Sequence, residues 1–264
     1  MLTAANIGVM SFGVFVAIMI AGVAGYFIAK RWWKSDPEDV PFGVLQASAF
    51  GMVGLLLGFS FAIAAARFDQ RREVTVREAN AIATTVLRSD LLRPRVAQQM
   101  RGLLREYVDV RIAYVAAGTH ADERTIPGRR SAELQRRMWA LAVSESRSDP
   151  HSTMLALFIL TLNQTIDVSS EQAAALDATI PPSVLGIVVI VVIIAASLLG
   201  ANFGRVGRFD WTAFALFAVM FALVIGTILD LDRPQGGLIR ISLEPLQAVQ
   251  RSLQPAPGSP TPAP

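Results

Sequence analysis

Hydrophobic positions along the chain gather into four uncharged blocks, residues 7–29, 44–66, 184–203 and 211–229. A helix rises about 1.5 Å per residue, so each block is long enough to cross a hydrocarbon core of about 30 Å. None contains Asp, Glu, Lys, Arg or His. The pattern predicts an all-α, polytopic membrane protein with four transmembrane helices. A helical soluble domain is expected over residues 67–183, between the second span and the third. Residues 1–66 hold spans one and two, 184–229 hold spans three and four, and 230–253 form a short C-terminal segment. The first block is longer than the apolar region of a signal peptide, so it is expected to remain in the protein.

The second block organises the rest. It turns strongly charged at Arg67 without a Pro or Gly to stop the helix, which predicts one rod from residue 44 to about residue 92. Arg67, Arg71 and Arg72 mark its basic end near the membrane, and Glu73 stands four residues before Arg77, the favourable order for a helical ion pair. Gly54, Gly58 and Ala62 recur every four residues, as do Gly13, Ala17, Ala21 and Gly25 on the first block. Small stripes let helix backbones approach closely, so these two faces are expected to pack together. A bulkier face carries Leu55 and Phe59. Either it packs or meets lipid in the ordinary way, or it forms a hydrophobic constriction in a pore.

Within 67–183, Pro94 disfavours helix before it and opens the next one, to about residue 117. Leu103, Leu104, Tyr107, Val108, Ile112 and Val115 give that helix an apolar face. Residues 119–130, with Pro127 and Gly128, read as a polar loop, and Ser131 as the cap of a helix to about residue 146. A further helix, from about residue 152 to 179, carries Leu155, Phe158, Ile159, Leu162 and Ile166. Its apolar run before Asn163 is too short to span a bilayer. Leu243, Leu246, Val249 and Leu253 form one face of a short amphipathic helix, and residues 254–264, rich in Pro, read as an extended tail.

Composition changes the picture in three ways. Cysteine is absent, which excludes disulfides, thiolate metal sites and thiol nucleophiles. The arginines outnumber the lysines, Lys30 and Lys34, by a margin that fits a GC-rich bacterial genome, and the four spans are expected to make a multi-pass protein of the inner membrane. Residues 67–183 hold 16 basic and 14 acidic side chains, too even a balance for nucleic-acid binding. Orientation is not decided by charge: Lys30, Arg31, Lys34, Arg205 and Arg208 flank the short loops, and Arg67, Arg71, Arg72, Arg77, Arg233 and Arg240 the other side.

Candidate chemistry is sparse. His120 and His151 stand in polar stretches without metal-ligand spacing, and no G-x-S-x-G, Walker A or G-x-G-x-x-G sequence occurs. No catalytic residue, metal or cofactor is expected, and the chain does not read as an enzyme. Asp230 and Asp232 beside Arg233 suggest either a cation or phosphate site or a helix end closed by local charge pairing, and the second is the plainer expectation. Uncharged spans argue against a proton-coupled pump and leave open a passive pore or no transport at all.

Several segments resemble the bacterial bestrophin-like family. They are Gly58-Phe59 within LLLGFSFAIAAARFDQRR, Glu78-Ala79-Asn80, Leu87-Arg88, Asn163 with Asp167, Ile180-Pro181-Pro182, and Asp232-Arg233-Pro234. Bestrophins are anion channels, generally pentameric, with a cytosolic helical part between spans two and three. The resemblance therefore implies a homo-oligomer in the lipid bilayer, a cytoplasmic soluble domain, and passage of inorganic anions such as chloride. It places Phe59 and Leu55 in an apolar neck, with Arg67-Phe68 matching an arginine-aromatic pair beyond it. Two positions depart from the pattern. Gly51 supplies no bulky neck residue, and Ser169-Ser170-Glu171-Gln172 lacks the expected basic side chain. The competing reading is a membrane-anchored helical scaffold that conducts nothing.

Overall fold

The computed structural model describes residues 4–32, 40–233 and 237–254. Lys34, Pro234 and the tail from residue 255, all part of the expectations above, lie outside the described residues. The regular elements of the described residues are all helices: α1 (Ala4–Trp32), α2 (Val40–Arg88), α3 (Pro94–Ala116), α4 (Ala121–Ser148), α5 (Thr153–Asp177), α6 (Pro182–Val206), α7 (Trp211–Asp232) and α8 (Glu244–Ser252). A 3-10 turn over Ser89–Leu91 follows α2. Four stretches are long and apolar enough to cross a membrane: Ile7–Trp32, Phe42–Leu91, Thr153–Val206 and Trp211–Asp232. Their apolar parts match the four blocks of the sequence. The chain divides into two compact units, one of residues to Phe68 with Thr179–Ile239, the other of Asp69–Ala178 with residues from Arg240.

In the first unit α1 lies against α6 and α7. The contact is made by backbone. A Cβ placed on Gly200 would run into the Gly22 carbonyl, one on Gly25 into the Ser197 carbonyl, and one on Gly204 into the Tyr26 carbonyl. This corrects the expected pairing of α1 with α2. Ala21 and Gly25 are buried, but a Cβ at Gly13, Gly54 or Gly58 would meet nothing within 4 Å in the same chain. The close partner of α1 is the Gly200-Ala-Asn-Phe-Gly204 stretch of α6, a G-x-x-x-G spacing. Helix α2 turns Val53, Leu57 and Ala64 inward to a core shared with Ile18, Val192 and Phe214. Phe50 packs on Phe217 with ring centroids 5.6 Å apart.

The second unit is a bundle of large side chains. Met100, Leu104, Tyr107 and Val108 of α3, Leu134 and Met138 of α4, and Phe158 and Leu162 of α5 form its core with Ile82 of α2. Leu246 and Val249 of α8 and Leu253 just after it join that core, so segment 230–253 does not stand alone but is divided between the units. Pro94 opens α3, and the Ser152 side chain caps α5 by accepting from the Leu155 N–H.

The expected loop over residues 119–130 is the largest correction. Helix α4 starts at Ala121 and runs through Pro127, while Ser131 is buried within the helix and caps nothing. Its first turns are held by contacts distant in sequence. Arg124 is buried, donates to the Tyr114 hydroxyl at 3.2 Å and pairs with Asp177. Gly128 lies against the Tyr114 ring. These anchors outweigh the lost donor and steric cost of Pro127.

Candidate functional site

Helix α2 has two unlike faces along its apolar part. Ser60 is buried with Val53, Leu57 and Ala64, and its hydroxyl donates to the Leu56 carbonyl, so no polar group of that face is left unpaired. The opposite face presents Gly51, Leu55, Gly58, Phe59 and Ala62. Leu55 is 59% exposed and Phe59 60% exposed within the chain. Their spacing of four residues stacks them one turn apart, and the helical rise sets them about 6 Å apart along the axis. No ionisable side chain interrupts this face before Arg67.

The basic end of α2 is not a uniform cationic patch. Arg72 is exposed, but Arg71 is fully buried. Arg71 donates from Nε to the Ala175 carbonyl at 3.0 Å and from Nη2 to the Ala178 carbonyl at 2.6 Å. It therefore closes the C-terminal end of α5, where free carbonyls and the helix dipole favour a cation. Arg67 is half-buried, with a buried Nη1 that has no hydrogen-bond partner. Arg77 pairs with Glu171 at 2.7 Å and not with Glu73. Glu171 is one of the positions where a basic residue was expected, so the departure has an electrostatic partner in this chain.

The remaining positions that carry the family resemblance separate into buried clamps and exposed surface. Glu78 is buried and its Oε1 accepts from Arg111 Nε at 2.5 Å. Arg111 in turn lies over the Tyr114 ring, 4.4 Å from its centroid. Burial pushes the Glu78 carboxyl above the usual carboxylate range, with the Arg111 charge working the other way. Arg88 donates to the Leu157 carbonyl at 3.1 Å, tying the end of α2 to α5. Asn80, Asn163 and Asp167 are exposed.

Asp230 and Asp232 are backbone clamps rather than partners of Arg233. The Asp230 carboxylate accepts from the N–H groups of Leu238 and Ile239 at 3.0–3.2 Å. Asp232 accepts from the Ile180 N–H at 2.9 Å, pinning the Ile180-Pro181-Pro182 turn that opens α6. Among the described residues no group of three or more His, Cys, Asp or Glu side chains is placed to hold a metal. His120 precedes α4, its Nδ1 3.0 Å from the Ala117 carbonyl oxygen, and His151 is exposed.

Four apolar helices, a bundle inserted between the second and third of them, and an uncharged free face on α2 define a polytopic α-helical membrane protein. The family description "Bestrophin-like domain" matches residues 9–246, and the chain belongs to this family. Among solved structures, two mutant forms of a bacterial bestrophin homologue from Klebsiella pneumoniae are similar in fold. One has a TM-score of 0.64 at 16% identity, covering 91% of this chain and 97% of that chain. The other has a TM-score of 0.65 at 14% identity, covering 92% and 96%. No curated protein matches.

Sequence reasoning missed Arg111, which lies 33 residues from Glu78, and the clamp role of Asp230 and Asp232. It also missed Gly200 and Gly204, although their spacing was in plain view.

Proposed function

We propose that this chain forms a passive homo-oligomeric anion channel in a bacterial inner membrane, with Leu55 and Phe59 lining an apolar neck. The observation that carries the reading is the exposed, uncharged face of α2. Around a shared axis such faces make a constriction that holds back ions by dewetting rather than by charge.

A second exposed surface supports assembly. Leu87 is 72% exposed and Leu160 63% exposed, with Leu91 and Leu157 exposed beside them. These residues belong to the water-facing bundle, where lipid cannot cover them, and apolar surface of this kind marks a contact with another chain. The same helix thus carries a free apolar face in its spanning part and another near its end. By family likeness the copies number five, the bundle is cytoplasmic and chloride is a permeant ion.

The test is chloride efflux from liposomes containing the full chain. Wild type releases chloride faster than empty vesicles, and Phe59→Ala releases it about tenfold faster still, the effect of lowering a barrier by about 1.4 kcal/mol. No release by either protein under varied calcium and pH leaves the scaffold reading in its place.

A further inference from the structure

Helices α1 and α7 enclose a groove of about 600 Å³ in the spanning unit. Phe12 and Phe15 wall one side, Val219 and Leu223 the other, and Asp230 stands at one end. A Cβ at Gly8 would meet nothing within 4 Å, so that wall is open, whereas one at Gly226 would run into the Ser11 hydroxyl, so α1 and α7 close there. From Val219 to Asp230 the helical rise gives a length of about 16 Å, close to half of a 30 Å hydrocarbon core. The groove is thus about as long as one leaflet is thick, and its polar end lies where α7 stops.

Asp230 is the informative residue. The residue is only 7% exposed and its carboxylate accepts from backbone N–H groups. Among the described residues no cationic side chain pairs with it. A nearly buried, unneutralised carboxylate beside a groove in lipid attracts a cation and repels a phosphate-only headgroup.

We propose that this groove seats one acyl chain of a phosphatidylethanolamine, whose ammonium group lies over Asp230. The tail contributes apolar contact along Phe12 and Leu223, and the headgroup supplies the charge that Asp230 lacks. This site is separate from the α2 face and does not depend on conduction.

The test uses the full chain, washed free of lipid in mild detergent. It is then offered equal amounts of phosphatidylethanolamine and phosphatidylglycerol with identical acyl chains. Native mass spectrometry counts the lipid each chain retains. Wild type retains phosphatidylethanolamine over phosphatidylglycerol by about threefold, the factor a partly solvated ion pair supplies. Asp230→Asn keeps an acceptor for the backbone N–H groups and loses the preference. Gly8→Phe fills the tail channel and loses both lipids while helicity stays the same. Equal retention of the two lipids by wild type overturns the headgroup assignment, as does an undiminished preference in folded Asp230→Asn. Unchanged retention by folded Gly8→Phe overturns the groove. Should Asp230→Asn fail to fold, wild-type selectivity and Gly8→Phe still decide the matter.

Discussion

The two units of this chain are both helical, yet they close by opposite means. In the spanning unit the helices meet backbone to backbone at Gly22, Gly25, Gly200 and Gly204. Its carboxylates at Asp230 and Asp232 bond to main-chain N–H groups. In the bundle the helices meet through Met100, Leu104, Phe158 and Leu162, and charged side chains pair across helices, as in Glu78 with Arg111 and Glu145 with Arg93. The solvents explain the difference. Lipid is as apolar as leucine, so spanning helices gain from close approach and satisfied polar groups rather than from hydrophobic burial. Water drives large side chains inward, and charge that goes with them is paired.

This contrast can be broken at its most strongly buried charge. Arg111→Ala leaves Glu78 buried without its partner and is expected to cost about 3–5 kcal/mol in thermal unfolding of the detergent-solubilised chain. Glu78→Leu with Arg111→Met, which removes both charges, restores stability to within about 1 kcal/mol of wild type or exceeds it. A double variant as unstable as Arg111→Ala would mean that the pair acts through something other than charge compensation.

The spanning seam sets the next scale. Gly200→Leu forces α1 away from α6 and is expected to cost about 1–3 kcal/mol by overpacking. Gly54→Leu, where a Cβ meets nothing in the same chain, leaves the stability of a single chain within about 0.5 kcal/mol of wild type. Similar losses in both variants would show that the α1–α6 approach is not what holds the unit together.

The smallest effect is a matter of pH. Two hydrogen bonds from Arg93, of 2.6 and 2.5 Å, hold the Glu145 carboxyl below its usual range, and burial opposes them. A depressed carboxylate contributes stability in full above the unfolded value of about 4.3, and that stability is lost as pH falls through the folded value. Glu78 has the opposite sign, its contribution being complete at low pH and lost as pH rises through its raised value. Arg93→Ala should lower stability at neutral pH, with a deficit that shrinks as pH falls below about 4.3, so that the acid limb flattens. An unaltered acid limb would remove Glu145 from the account.

What could be read from the sequence was what local chemistry decides. The uncharged blocks revealed the spans and Pro94 the start of α3. Leu246 and Val249 revealed the inward face of α8. Local signals failed where distant residues override them. Pro127 and Gly128 looked like a loop because Tyr114 and Asp177, which hold Arg124 and so the start of α4, are remote in sequence. Arg71 looked like surface charge because nothing near it in sequence shows the end of α5. The α2 face was legible as a pattern, since Leu55 and Phe59 stand one turn apart, but its exposure came only from the fold.

The most direct test of that face uses the absence of native cysteine. Phe59→Cys gives a chain with a single thiol, and a charged methanethiosulfonate reagent can modify it during chloride efflux from liposomes. If Phe59 lines a shared neck, modification changes efflux at once, and mild oxidation links copies into dimers through that thiol. Complete modification with efflux unchanged and no cross-linked dimer would contradict the channel account.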